Sequence, residues 1–378
     1  MPGLLPDVDP DGLLEYSVVY TDRALNHMSS AFQDVMKDIS RTLRSVYGAD
    51  AAIVVPGSGT FGMEAVARQF ATGKRCLVIR NGWFSYRWTQ IFQAGSIPSQ
   101  EIVLKARPVE PGPQAAYAPP PIEEVVDAIT REKPDLVFAA HVETASGILL
   151  PDDYLRRVAD AAHAVGALFV LDCIASGTVW VDMRETGVDI LISAPQKGWT
   201  GSACCGLVML SAKALEQIEH TTSTSFASDL RKWLGIMQAY EKGGHAYHAT
   251  MPTDSLTILR NAMAEAESVG FEALRKAQFE LGSGVRALLR EKGFKSVAAP
   301  GFEAPGVVVS YTDDDGIHST SKFAQVGIQA ASGVPLQCDE PEGFKTFRLG
   351  LFGLDKLQNV DQSVGRLKNA LDQIQSNS

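Results

Sequence analysis

Leu168-Phe169-Val170-Leu171-Asp172, followed shortly by Asp189-Ile190-Leu191-Ile192-Ser193-Ala194-Pro195-Gln196-Lys197-Gly198-Trp199, decides how this chain folds. Each stretch is a short, unbroken apolar run that ends on polar residues. A strand with one face in water alternates apolar and polar side chains, whereas a strand covered on both faces is apolar throughout. Both runs are of the second kind and predict neighbouring strands inside a mostly parallel sheet. In such sheets ligands sit beyond the carboxyl ends of the strands. Asp172 and Lys197 fall at those ends, 25 positions apart.

The same alternation extends outward on both sides. Leu25–Val46 has apolar residues at helical spacing and predicts a long amphipathic helix ending near Gly48. Strands are expected at Ala51–Val55, Cys76–Ile79, Ile102–Leu104, Leu136–His141, Leu168–Leu171, Ile190–Ile192 and Leu207–Leu210. Helices are expected at Gly59–Ala71, Phe84–Gln93, Ile122–Thr130 and Asp152–Val165. The proline-rich stretch from Pro108 to Pro121 reads as a surface crossover, because the alternation resumes after it. Beyond Thr253 the pattern changes to long helices (Leu256–Val269, Glu272–Lys292), strands at Val307–Tyr311 and Thr346–Gly350, a helix near Thr320–Val326 and a last helix from Asp355. The expected organisation is an N-terminal segment 1–22, a large α/β domain 23–253 and a smaller α+β domain 254–378.

Composition narrows the function classes. The chain has 378 residues, 45% of them hydrophobic and 21% charged, which is ordinary for a globular protein. A net charge of −10 gives no electrostatic reason to expect nucleic acid or an anionic membrane as a partner. No run is long and apolar enough for a membrane span, and Met1–Asp7 lacks the basic and apolar regions of a signal peptide. Five scattered cysteines without metal-ligand spacing read as reduced thiols in a cytoplasmic protein, and no metal site is expected.

Four post-strand segments carry chemistry. Pro56-Gly57-Ser58-Gly59-Thr60 opens a helix with small residues, so backbone N–H groups can approach an anion; it reads equally as a turn and N-cap. Asp172 either caps a loop or is a buried carboxylate that would favour protonation of a nitrogen heterocycle. Lys197 is either a solvated surface residue or a desolvated amine able to form a Schiff base. His141-Val142-Glu143-Thr144 either lines a cofactor or serves structure.

The order and spacing of these segments resemble the class V aminotransferases of the pyridoxal 5′-phosphate (PLP) fold type I, over nearly the whole chain. The resemblance is nearest to the alanine/serine–glyoxylate(pyruvate) branch and to the 2-aminoethylphosphonate–pyruvate branch, which share the segment Gly57-Ser58-Gly59-Thr60-Phe61-Gly62-Met63-Glu64-Ala65. It implies that Lys197 carries PLP as a Schiff base and moves the substrate proton, and that Asp172 pairs with the pyridine nitrogen. Ser58, Gly59, Thr60 and Gln196 match phosphate-binding positions. Phe84, rather than Trp83, matches the aromatic over the ring, and Thr144 a hydroxyl near the phenolic oxygen. Tyr247 and Thr250 match a segment that reaches the phosphate of a neighbouring subunit, so a homodimer is implied. Arg348 and Gly3 match positions at the substrate's acidic group. The implied reaction is ping-pong transfer of an amino group from a small amino acid to a 2-oxo acid.

Two departures fall near the substrate entrance. The family's opening Pro-Gly-Pro reads Pro2-Gly3-Leu4, and its His-Arg-Ser segment reads His27-Met28-Ser29. Two other readings compete. A cysteine desulfurase would use Cys338, close to Ala331-Ser332-Gly333, but carries histidine where Gln196 stands. A non-catalytic PLP-binding protein would be expected to lack the full set Asp172, Lys197 and Arg348.

Overall fold

The computed structural model describes residues 8–9 and 12–376. Its strands, in chain order, are β1 (Ala51–Pro56), β2 (Arg75–Arg80), β3 (Gln100–Lys105), β4 (Arg107–Pro108), β5 (Tyr117–Ala118), β6 (Leu136–Ala140), β7 (Val142–Glu143), β8 (Ile148–Leu149), β9 (Leu168–Asp172), β10 (Ile190–Ser193), β11 (Cys205–Leu210), β12 (Val307–Tyr311), β13 (Ala331–Ser332) and β14 (Thr346–Gly350). Seven of them form one sheet in the order β1-β11-β10-β9-β6-β2-β3. Pairing is parallel except where β11 runs against both β1 and β10. Every residue of β6, β9, β10 and β11 is buried, which is the physical reason these runs are apolar without alternation.

Helices cover the sheet: α1 (Ser30–Tyr47), α2 (Gly59–Phe70), α3 (Trp83–Gly95), α4 (Ile122–Glu132) and α5 (Asp152–Ala164) are the first five. The first starts later than its apolar spacing suggests. Ser29 caps it by accepting from Phe32 N–H at 3.1 Å, so Leu25 and Met28 lie in the preceding turn. The proline-rich segment holds the short β4–β5 hairpin, and Tyr117 forms a bridge with Ala298 far along the chain. It therefore ties the two halves together rather than only skirting the surface.

A second, three-stranded sheet follows in the order β12-β14-β13, with Phe271–Glu291 and Val360–Ser376 packed against it. The last helical stretch is broken at Asn359 into Leu354–Gln358 and Val360–Ser376. Helix Thr253–Val269 spans both cores, placing Leu256, Leu259 and Met263 in the first and Ala266 in the second. No helix among the described residues is long and apolar enough to cross a membrane, and none of their His, Cys, Asp and Glu side chains form a group that could hold a metal ion.

Candidate active site

Beyond the carboxyl ends of β1, β9 and β10 lies a cavity of about 170 Å³. Its wall includes Ser58, Gly59, Thr60, Phe84, Thr144, Asp172, Gln196 and Lys197, so eight residues expected from sequence converge there. Each is delivered by a short connection from a buried strand.

The turn from β1 into α2 forms one wall. Gly57 has φ of +125°, a conformation that favours glycine, and a Cβ there would meet the Phe61 ring at 2.7 Å. Ser58 is the N-cap of α2 but makes no side-chain capping bond, which leaves its hydroxyl for another partner. The unpaired N–H groups and dipole of this helix end favour an anion.

Asp172 ends β9. Its Oδ1 accepts from Ile174 N–H at 2.9 Å. Burial pushes its carboxyl up to about 7, with Glu143 adding to the rise and Arg87 and Lys197 opposing it. A carboxylate this desolvated gains from a cationic partner. Thr144, in the turn between β7 and β8, presents a buried Oγ1 with no hydrogen-bond partner among the described residues. A buried hydroxyl left unpaired is costly unless a ligand satisfies it.

Lys197 follows β10 in a tight turn closed by Thr200 N–H to Lys197 O and Gly201 N–H to Pro195 O. Burial lowers the pKa of its amine; Arg348 and Arg87 lower it further, and Asp172 opposes them. Its Nζ lies 5.3 Å from the centre of the Phe352 ring. Arg348, on β14, donates from Nε to Ser332 O at 2.8 Å, and its Cζ is 5.5 Å from the Phe84 ring centre. Among the described residues no carboxylate pairs with Arg348, Arg87 or Lys197; Arg87 and Lys197 line the cavity with Asp172, and Arg348 lies beside the Phe84 ring. This balance suits an anionic ligand.

The remaining expectations divide. Tyr247 and Thr250 do not line this cavity. They bond to each other at 3.1 Å on the outside of the chain, where the Tyr247 ring is tilted against that of His27 with centres 5.6 Å apart. Gly3 lies outside the described residues. Trp83 packs on Tyr86 rather than on the cavity. His141 is fully buried against Ser176, and burial pushes its pKa down to about 3. Cys338 is buried with its Sγ 3.4 Å from Arg80 O, its thiol is pushed up to about 12 by burial, and it does not line the cavity, a setting opposite to that of a nucleophile.

Arg87, Met63, Val142, Ile174 and Ala175 also line the cavity and were not expected. Arg87 was legible in principle. It stands three residues after Phe84 on a predicted helix, hence on the same face.

The cavity's own chemistry fits PLP: a free helix N-terminus for a phosphate, a desolvated acid for a pyridine nitrogen, an unpaired hydroxyl, and a buried amine with a lowered pKa. The site and the sheet together define a PLP-dependent enzyme of fold type I. Similarity gives the family directly: the profile of aminotransferase class V matches residues 13–313. A 2-aminoethylphosphonate–pyruvate transaminase of Paraburkholderia phymatum is 28% identical over 358 residues, covering 91% of this chain and 89% of that protein. An alanine–glyoxylate aminotransferase of Rattus norvegicus is 26% identical over 368 residues, covering 94% and 84%. The crystal structure of an alanine–glyoxylate aminotransferase from Nostoc sp. shares the fold with a TM-score of 0.77 at 22% identity, covering 92% of this chain and 88% of that one. The chain belongs to the class V aminotransferases and is a PLP-dependent transaminase.

Proposed function

We propose that this transaminase moves the amino group of a small amino acid, of the alanine or serine type, to a 2-oxo acid such as glyoxylate or pyruvate. The observation that carries the reading is Arg348, a half-buried guanidinium without an acidic partner, beside the Phe84 ring and close enough to act on Lys197. A guanidinium fork pairs with a carboxylate in two parallel bonds and so fixes an α-amino acid's orientation.

When bound, PLP supplies a carbonyl that takes up amines and a ring that accepts electrons from the substrate's α-carbon. The chain's part is positioning and proton handling. Arg348 holds the substrate carboxylate. Lys197, its pKa lowered by burial and by the Arg348 charge, would take a proton from the substrate's α-carbon and return it to the carbon of the cofactor's carbonyl group. Asp172, at the sheet end, holds a protonated ring nitrogen and is itself relieved of an unfavourable burial. Ser58, Gly59, Thr60 and Gln196 would hold the phosphate, Phe84 would cover the ring, and Thr144 would donate to the phenolic oxygen.

A second reading is transfer from 2-aminoethylphosphonate to pyruvate, favoured by the Paraburkholderia relative's name and by a guanidinium that tolerates a phosphonate. Mixing the PLP form with each donor in a single turnover, and following loss of its absorbance, separates the two. Rapid loss with alanine or serine and none with 2-aminoethylphosphonate supports the first; the reverse supports the second.

The same proposal includes a homodimer in which Tyr247 and Thr250 complete a neighbouring subunit's site, and it places Gly3 at the substrate's acidic group. The exposed apolar side chains of Leu13, Tyr16, Val18 and Phe226 support an interface, which sedimentation would test. It also includes the division into 1–22, 23–253 and 254–378, testable by limited proteolysis. A cytoplasmic location, supported by five buried free cysteines, is testable by fractionation.

A further inference from the structure

We infer that Arg87 is the fixed counter-charge for the cofactor's phosphate, an assignment that rests on PLP occupying this cavity. Arg87 lies one turn after Phe84 on α3 and lines the same cavity. Its Nη1 donates to Thr60 Oγ1 at 3.2 Å, at the first turn of α2. That bond uses the hydroxyl as acceptor, so the Thr60 proton remains available to donate to an anion. The Ser58 hydroxyl beside it makes no capping bond.

Charge leads to the same place. Among the described residues no carboxylate pairs with Arg87. Its guanidinium lies 5.0 Å from the Phe84 ring centre, an aromatic face rather than a counter-ion. A half-buried cation with no acid, next to a helix N-terminus, is stabilised by an incoming anion. The cavity also has an independent mark of a polar ligand, since Thr144 is 8% exposed and its Oγ1 lacks a partner.

Of the cavity's other titratable groups, Lys197 is the amine that holds the cofactor in the proposed function, and Asp172 is an acid. Arg348 sits 5.5 Å from the centre of the same Phe84 ring. The two guanidinium groups therefore divide the work. Arg87, bonded to Thr60, serves the cofactor's anion, and Arg348, bonded to Ser332, serves the substrate's acid.

The test compares PLP with unphosphorylated pyridoxal, both titrated into the full-length chain stripped of cofactor and read by tryptophan fluorescence. In the Arg87→Gln variant PLP affinity is expected to fall at least tenfold while pyridoxal affinity changes less than threefold, and Arg87→Lys should recover part of the loss. Equal losses for both vitamers, or an unchanged PLP affinity, would overturn the assignment. If Arg87→Gln does not fold, as judged by circular dichroism, the comparison is made on Arg87→Lys. A loss there confined to PLP supports the assignment, and an equal loss or none overturns it. Wild-type protein that binds neither vitamer would instead overturn the cofactor reading, and the assignment with it.

Discussion

The carboxylate of Glu143 accepts the backbone N–H of Phe84 at 3.1 Å and so fixes where that ring meets the cavity. The same carboxylate accepts from Ser85 N–H at 2.8 Å, Ser85 Oγ at 2.7 Å and Ala145 N–H at 2.9 Å. One fully buried side chain thus caps α3 and braces the turn that carries Thr144. The N–H groups and helix dipole stabilise its charge in place of a cation. A Cβ on Gly82 would meet the Glu143 side chain at 2.7 Å, so the close approach requires glycine there.

Glu143→Ala should therefore leave several buried donors without partners. The expected loss is about 1–3 kcal/mol in unfolding free energy, with weaker PLP binding through the displaced Phe84. Urea denaturation of wild type and variant checks it. Equal midpoints would show that the cap does not matter.

Much of this site was readable in the sequence because its residues follow buried strands, and strands buried on both faces are the plainest apolar signal in a chain. Asp172 and Lys197 were found that way. The partners Glu143 and Arg87 were less legible. Glu143 acts through backbone N–H groups 58 and 59 positions earlier, a contact no local spacing encodes. Arg87 required knowing which face of α3 turns inward. The start of α1 is not legible from spacing, because Leu25 and Met28 keep helical spacing while the Ser29 cap fixes the boundary. Tyr247 and Thr250 are legible only by resemblance, and within one chain they do not line the cavity.

Asp172 should leave a pH signature in cofactor-free protein. Its folded pKa is raised by burial to about 7, from an ordinary 3.8. The unfolded chain therefore releases this proton first as pH rises. The group's contribution to stability is complete below about pH 4 and is lost as pH climbs through 7. Asp172→Asn should lack that part of the decline, which urea unfolding between pH 4 and 8 measures. Parallel curves for the two proteins would contradict it.

Arg348 should set the reactivity of Lys197 as well as bind substrate. After burial, its charge is the largest influence holding the lysine's pKa below the ordinary 10.5. In Arg348→Gln the lysine should stay protonated to higher pH, moving the pH dependence of PLP capture by cofactor-free protein upward. An unmoved profile, alongside a raised KM for the amino donor, would restrict Arg348 to substrate binding.

Gly198 is held by a backbone contact. A Cβ at this position would lie 2.0 Å from Gly177 O, and neither backbone can yield without moving the Lys197 turn. Gly198→Ala should lose about 1–3 kcal/mol of stability or fold with Lys197 displaced. A variant as stable and as active as wild type would show that the turn is not constrained in this way.

The central claim is that Lys197 is the amine that holds the cofactor. Borohydride reduction of the PLP-loaded enzyme, followed by peptide mass mapping, tests it most directly. The account predicts a pyridoxyl-phosphate mass on the peptide containing Lys197, and no such label in Lys197→Ala. A label on any other lysine, or a label retained in that variant, would contradict it.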